Sequence, residues 1–97
     1  GRYFLSHKFR AFEAMIGREF LAQKPANYKM YESEDLQVDI TFYFKNGIHS
    51  DLFNLPKSVC DALTGLAWKD DRQIKKGTLK IEYSPNERIE MIIIGKK

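Results

Sequence analysis

The segment 36–44, LQVDITFYF, alternates without interruption: Leu36, Val38, Ile40, Phe42 and Phe44 against Gln37, Asp39, Thr41 and Tyr43. Successive side chains of a strand point to opposite faces, so this is the pattern of a half-buried strand. Its apolar side demands a covering layer. Asn46-Gly47 marks the turn that follows.

The cover comes from helical patterns on either side. Residues 7–22 place Phe9, Phe12, Ile16 and Phe20 at three- and four-residue spacings, with Ser6 available as N-cap and Lys24-Pro25 as the stop. Residues 55–66 repeat the design with Leu55, Val59, Ala62, Leu63 and Leu66. Asn54 is a suitable cap, Pro56 is tolerated in a first turn, and Gly65 helps to end the helix. Residues 78–83 and 88–94 read as strands joined through Ser84-Pro85-Asn86, which suggests a hairpin. The last strand is apolar on both faces (Ile89, Met91 and Ile93 against Ile92 and Ile94), so it should be central or covered by a partner. The expected architecture is α/β (α+β): a small two-layer sandwich, a mixed sheet with two helices on one face.

With 97 residues and no internal repeat or linker, residues 1–97 form one expected domain, small enough for dimerisation to help its stability. The lone cysteine, Cys60, excludes an internal disulfide and a multi-cysteine zinc site. It falls in the second helical pattern as a small buried thiol, and no spacing pairs it with His7 or His49 as nucleophile and base. No apolar run reaches transmembrane length and no signal peptide is present, so the expectation is an intracellular protein without a membrane role. The net charge of +3 permits an anionic partner. Lys69, Arg72, Lys75, Lys76 and Lys80 form one basic group, and Arg2, His7, Lys8 and Arg10 another. Taken alone, both are ordinary solvated surface.

The acids also have sufficient local explanations. Asp51 precedes a helix amino terminus, where the dipole favours a carboxylate and keeps it ionised, as a magnesium ligand must be. Asp70 and Asp71 form a polar pair, and Asp39 projects from the polar side of its strand. Lys57 is less comfortable. A cation in a first helical turn opposes the dipole by about 0.3–1 kcal/mol, and a contact with Asp61 would recover only about 0.2–0.5 kcal/mol. A phosphate is the obvious justification. Trp68 either closes the core edge or stacks on DNA, and the core is the simpler reading.

In sequence order, Asp51, Asn54, Leu55 and Lys57 are followed by Asp61-Ala62-Leu63, then Trp68, Asp70-Asp71, Gln73 and Ile74. This succession resembles the RusA family of Holliday-junction resolvases of phages and prophages, with its D-x-D-N-L-x-K opening, D-A-L helix and W-x-D-D-x-Q-[IV] segment. The resemblance implies a homodimeric, Mg²⁺-dependent endonuclease of the cytoplasm of a bacterial or phage-infected cell, cutting four-way DNA junctions by paired nicks. Asp51 and Asp71 would be metal ligands with Asp70 adjacent. Lys57 would match the family's essential lysine, with Lys69, Arg72, Lys75 and Lys76 near DNA.

Three departures accompany the resemblance, of which Pro56 is a mild one. Phe53 stands where the family's opening has its second aspartate, and an aromatic ring is no ligand for Mg²⁺. Either Asp39 or Asp70 substitutes, or metal binding is weakened, or the protein binds junctions without cutting. The amino-terminal strand that precedes the first helix in the family is expected to be missing or truncated here. Geometry adds a condition. A helix over 55–66 is about 18 Å long, which separates Asp51 from Asp71. Residues 67–71 must fold back, or a second subunit must complete the site.

Overall fold

The computed structural model describes residues 1–5, 12–47 and 55–96. Its elements are β1 (Arg2–Leu5), α1 (Phe12–Gln23), β2 (Asp35–Phe44), α2 (Leu55–Leu63), β3 (Ile74–Lys76), β4 (Leu79–Tyr83) and β5 (Arg88–Lys96). A short 3₁₀ turn, Asp71–Gln73, leads into β3.

The alternation of β2 becomes strict alternation of burial, with Leu36, Val38, Ile40, Phe42 and Phe44 all in the core. Both edges of β2 are paired. On one side β5 runs antiparallel, Val38 opposite Ile93 and Ile40 opposite Met91. On the other, β3 and then β4 run parallel to it, Leu36 opposite Ile74 and Phe42 opposite Ile81. Adding β1 beyond β5 gives a mixed five-stranded sheet. The core unites Ile16 and Phe20 of α1, Val59 and Leu63 of α2 and the inward residues of the sheet. This is the expected α+β sandwich.

The 78–83 and 88–94 strands do not form the expected hairpin. They lie on opposite sides of β2, and their connection passes the end of that strand, where Ser84 N–H donates to the Phe44 carbonyl at 2.8 Å. A period-2 pattern specifies which face a strand buries but is silent about which strands flank it. The doubly apolar β5 is indeed central, between β1 and β2. Its outward Ile94 is nevertheless 43% exposed. The structure also has strands at Arg2–Leu5, ahead of α1 where the amino-terminal strand was expected to be missing or truncated, and at Ile74–Lys76; sequence patterning identified neither. The edge of β1 is closed by a side chain: the Gln23 amide accepts from Phe4 N–H at 2.8 Å and donates to the Phe4 carbonyl. It imitates a neighbouring strand at an edge that would otherwise be open.

Helix α1 ends where Lys24-Pro25 was expected to stop it, while Ser6, Phe9 and the first part of the 7–22 pattern lie outside the described residues. Helix α2 ends at Leu63, earlier than the apolar pattern suggested, because Gly65 turns the chain with φ of +90°. That value is open to glycine and strained for other residues.

Gly77 joins β3 to β4 at a break in the ladder with β2, and a Cβ there would collide with the Val38 backbone carbonyl. Gly77→Ala should therefore cost about 1–3 kcal/mol, as overfilling of a packed region does. It should lower the urea midpoint with an unchanged slope. Gly47→Ala, with no atom within 4 Å of the added Cβ, is the control and should stay within about 0.5 kcal/mol. Equal stability of the two variants would contradict the close approach.

Candidate active site

The chain turns at the end of α2 through a series of polar contacts. Thr64 N–H continues the helical pattern to the Cys60 carbonyl, Ala67 N–H reaches the Leu63 carbonyl, and Gly65 N–H donates to the Trp68 carbonyl at 2.7 Å. Tyr31 straps the returning segment: its N–H donates to the Ala67 carbonyl and its carbonyl accepts from Lys69 N–H. The Tyr28 hydroxyl also donates to the Ala67 carbonyl, at 2.7 Å.

Asp70 then caps the 3₁₀ turn. Its Oδ1 accepts from Arg72 N–H at 2.8 Å, while Gln73 Oε1 accepts from Asp70 N–H at 2.9 Å in a capping box. Gln73 is 7% exposed and its amide is fully used. It accepts from Lys69 N–H as well, and its Nε2 donates to the carbonyls of Tyr31 and Glu34. One buried amide thus ties the returning loop to the strand entry before β2. In the sequence, Gln73 is marked only as a member of the W-x-D-D-x-Q-[IV] motif. The local signal was Asp70-Asp71-Arg72-Gln73, an acid followed three residues later by glutamine.

The result of this folding is the position of Asp71. Its Oδ1 accepts from Thr64 Oγ1 at 2.6 Å and from Trp68 Nε1 at 2.8 Å. Thr64 Oγ1 also lies 2.8 Å from the Cys60 carbonyl, so its single proton is shared between two acceptors. Trp68 is completely buried, as the core reading expected, and only its N–H reaches towards the surface. Asp71 itself is exposed, and among the described residues no hydrogen bond engages its Oδ2. Thr64 was not singled out by the sequence, and no sequence signal distinguishes it from any other helix-end threonine.

Lys57 is exposed in the first turn of α2 and forms no ion pair with Asp61. Residues seven apart share a side of a helix, so Lys57 lies on the side that ends at Thr64, about 10 Å along the axis from it. Residues 67–71 turn back only as far as the end of α2, where Asp71 meets Thr64, so Asp71 stays at the carboxy-terminal end of the helix and does not return alongside it to its start. Its intended partner Asp51, with Phe53 and Asn54, lies outside the described residues.

The other acids have defined employment. Both oxygens of Asp70 accept from Arg72, Oδ2 at 2.9 Å from the guanidinium, and these bonds hold the Asp70 carboxyl below its ordinary value. Asp39 projects from the sheet face opposite the helices. Its Oδ1 accepts from Thr78 N–H and Oγ1 where the break between β3 and β4 interrupts the ladder, and its Oδ2 accepts from Gln37. Asp39 thus plugs the gap in the ladder between β3 and β4. Among the described residues no three acids, histidines or cysteines form a metal-holding group.

The described basic residues are spread over more than one face of the molecule. Lys76 lines an apolar groove of about 260 Å³ between α2 and the sheet, with Pro56, Cys60 and Leu79. Lys80 lies on the opposite face beside Arg2 and Asp39. Lys75 is exposed on β3, Lys69 is 3.9 Å from Glu32, and Arg72 is paired with Asp70. Arg2 is paired with Glu90 at 2.9 Å, whereas His7, Lys8 and Arg10 lie outside the described residues.

The described residues form an α+β fold that holds the Asp71 carboxylate at the end of the helix bearing Lys57. The family model described as Endodeoxyribonuclease RusA matches residues 1–94. The chain belongs to the RusA endodeoxyribonuclease family. No curated protein matches the chain significantly. Among the described residues no helix is long and apolar enough to cross a membrane.

The Cys60 thiol, half-buried in the groove wall, is pushed up to about 11 by burial first and then by the Asp71 and Asp61 carboxylates. Because the thiolate is the nucleophile, alkylation should still be accelerating about tenfold per unit at about pH 10. Asp71→Asn should bring the midpoint down. A plateau at lower pH in wild type, unmoved by Asp71→Asn, would contradict the placement of Asp71 beside Cys60.

Proposed function

We propose that the protein is a Mg²⁺-dependent endonuclease that resolves four-way DNA junctions by paired phosphodiester cuts, as a homodimer in the cytoplasm of a bacterial or phage-infected cell. Family membership across residues 1–94 carries the reading. The geometry of Asp71, one oxygen held and the other without a hydrogen bond among the described residues, supports it.

Asp71 and Asp51 are the residues that would hold Mg²⁺, with Asp70 adjacent. The donor chemistry fits, since hard cations take carboxylate oxygens and Oδ2 of Asp71 is uncommitted among the described residues. Bound Mg²⁺ supplies charge neutralisation on the phosphoryl oxygens and assists attack by water. Lys57, on the same side of α2 as Thr64, holds a phosphate oxygen and steadies the negative charge that develops on it. Its unfavourable place at a helix start is the cost of that task. Lys69, Arg72, Lys75 and Lys76 contact backbone phosphates, which position the substrate without reading its sequence. Asp70, by holding Arg72, keeps one of these cations near the acid it accompanies. Two subunits supply one cut to each of two strands.

Phe53 favours a second reading, a protein that binds junctions but cuts them weakly or not at all. Neither acid considered as a substitute is free: Asp39 is bonded to Thr78 and Gln37, and Asp70 to Arg72.

A labelled four-way junction incubated with Mg²⁺ or with EDTA separates the two. The nuclease reading expects paired, metal-dependent nicks that Asp51→Asn and Asp71→Asn abolish while binding persists. Lys57→Ala should lower cleavage by about 10²–10³-fold, the range for loss of one charge-stabilising group. Phe53→Asp should raise it. Salt-sensitive binding without nicks establishes the second reading, and absence of junction binding overturns both.

A further inference from the structure

We infer that Trp68 and Thr64 are positioning residues of the metal site: they clamp Oδ1 of Asp71 and thereby present Oδ2 as the atom available to the cation. The inference rests on the nuclease reading and adds to it how one carboxylate is held ready.

The clamp follows from constraints on three groups. The Trp68 ring is 0% exposed and locked in the core, so its N–H has essentially one direction in which to point. An indole N–H only donates, and burying it without an acceptor costs about 1–3 kcal/mol. Its acceptors are Asp71 Oδ1 at 2.8 Å and, more weakly, Thr64 Oγ1 at 3.3 Å. Thr64 is fixed by the last turn of α2 and approaches the same Oδ1 at 2.6 Å. The Asp71 backbone is fixed separately, by the capping box of Asp70 and Gln73. The carboxylate is thus held at its backbone and at one oxygen, although the residue is exposed.

A carboxylate free to rotate at the surface would have to be ordered when the cation binds. Groups that bond to a ligand's second atom remove that cost, and their loss typically weakens metal binding by about 10–100-fold. If the indole bond served only to satisfy the Trp68 N–H, its removal would alter stability and leave metal affinity unchanged.

The test uses Mn²⁺, which shares the oxygen-ligand preference of Mg²⁺, with binding followed by electron paramagnetic resonance. It is paired with the Mg²⁺ concentration giving half-maximal junction cleavage. Trp68→Phe keeps a large ring and removes the donor. It should weaken Mn²⁺ binding about tenfold and raise the half-maximal Mg²⁺ concentration to match, with the rate at saturating Mg²⁺ changed only a few-fold. Thr64→Val should act in the same direction and Thr64→Ser should restore wild-type affinity. This pair keeps the test decisive should Trp68→Phe fail to fold. Wild-type affinity in Thr64→Val and in folded Trp68→Phe overturns the clamp and leaves the nuclease reading standing. A wild-type protein that binds no Mn²⁺ and cuts nothing overturns both.

Discussion

β2 is held on three sides at once, and the position of everything else follows from that. One face is buried along its length, one edge takes β5, and the other takes β3 and β4 in succession. Parallel neighbours cannot be reached by a tight turn, so the chain between β2 and β3 must cross over the sheet. Helix α2 lies within that crossover and packs its Val59 and Leu63 on the apolar face. The end of α2 and the start of β3 are thereby brought to one corner of the molecule, and residues 64–73 must close the distance between them.

That corner is built by satisfying polar groups more than by burying apolar ones. The Gln73 amide serves four backbone partners, Tyr31 bonds to both sides of the loop, and Trp68 delivers its N–H to Asp71. Each bond contributes only about 0.5–1.5 kcal/mol net, but leaving a buried partner unsatisfied costs more. The loop therefore has little freedom to place Asp71 elsewhere. Such rigidity suits a reaction in which charge must be met by groups already in position. A side chain can be solvent-exposed and still have its orientation specified, provided its anchors are buried.

Much of the architecture was legible in the sequence because it depends on periodicity. The alternation of β2 and the stripe of α2 announced buried surfaces, and the two apolar faces of β5 a central strand; β2, Val59 and Leu63 face the core, and β5 is central although Ile94 stays exposed. Edge pairing was not legible, which is why two strands flanking β2 were read as a hairpin. β3 was too short to show a period, and β1 offered only a brief apolar alternation. At the candidate site, Asp71 and Lys57 stood out through order and chemistry. Thr64 did not, because its importance comes from a contact made only after the chain folds back. Asp70 and Gln73 carried a capping signal that the acidic pair obscured, and Asp39 acquired its role from a gap in the ladder that no linear pattern reveals.

Because Trp68 is the chain's only tryptophan and its N–H is bonded to Asp71, its emission is a direct reporter on that carboxylate. The most direct measurement is a Mg²⁺ titration of wild type and Asp71→Asn followed by tryptophan fluorescence in the absence of DNA. The account predicts a saturable change in emission in wild type that is absent from a folded Asp71→Asn protein. An identical response in the two proteins, or none in wild type, would contradict the assignment of Asp71 to the metal site.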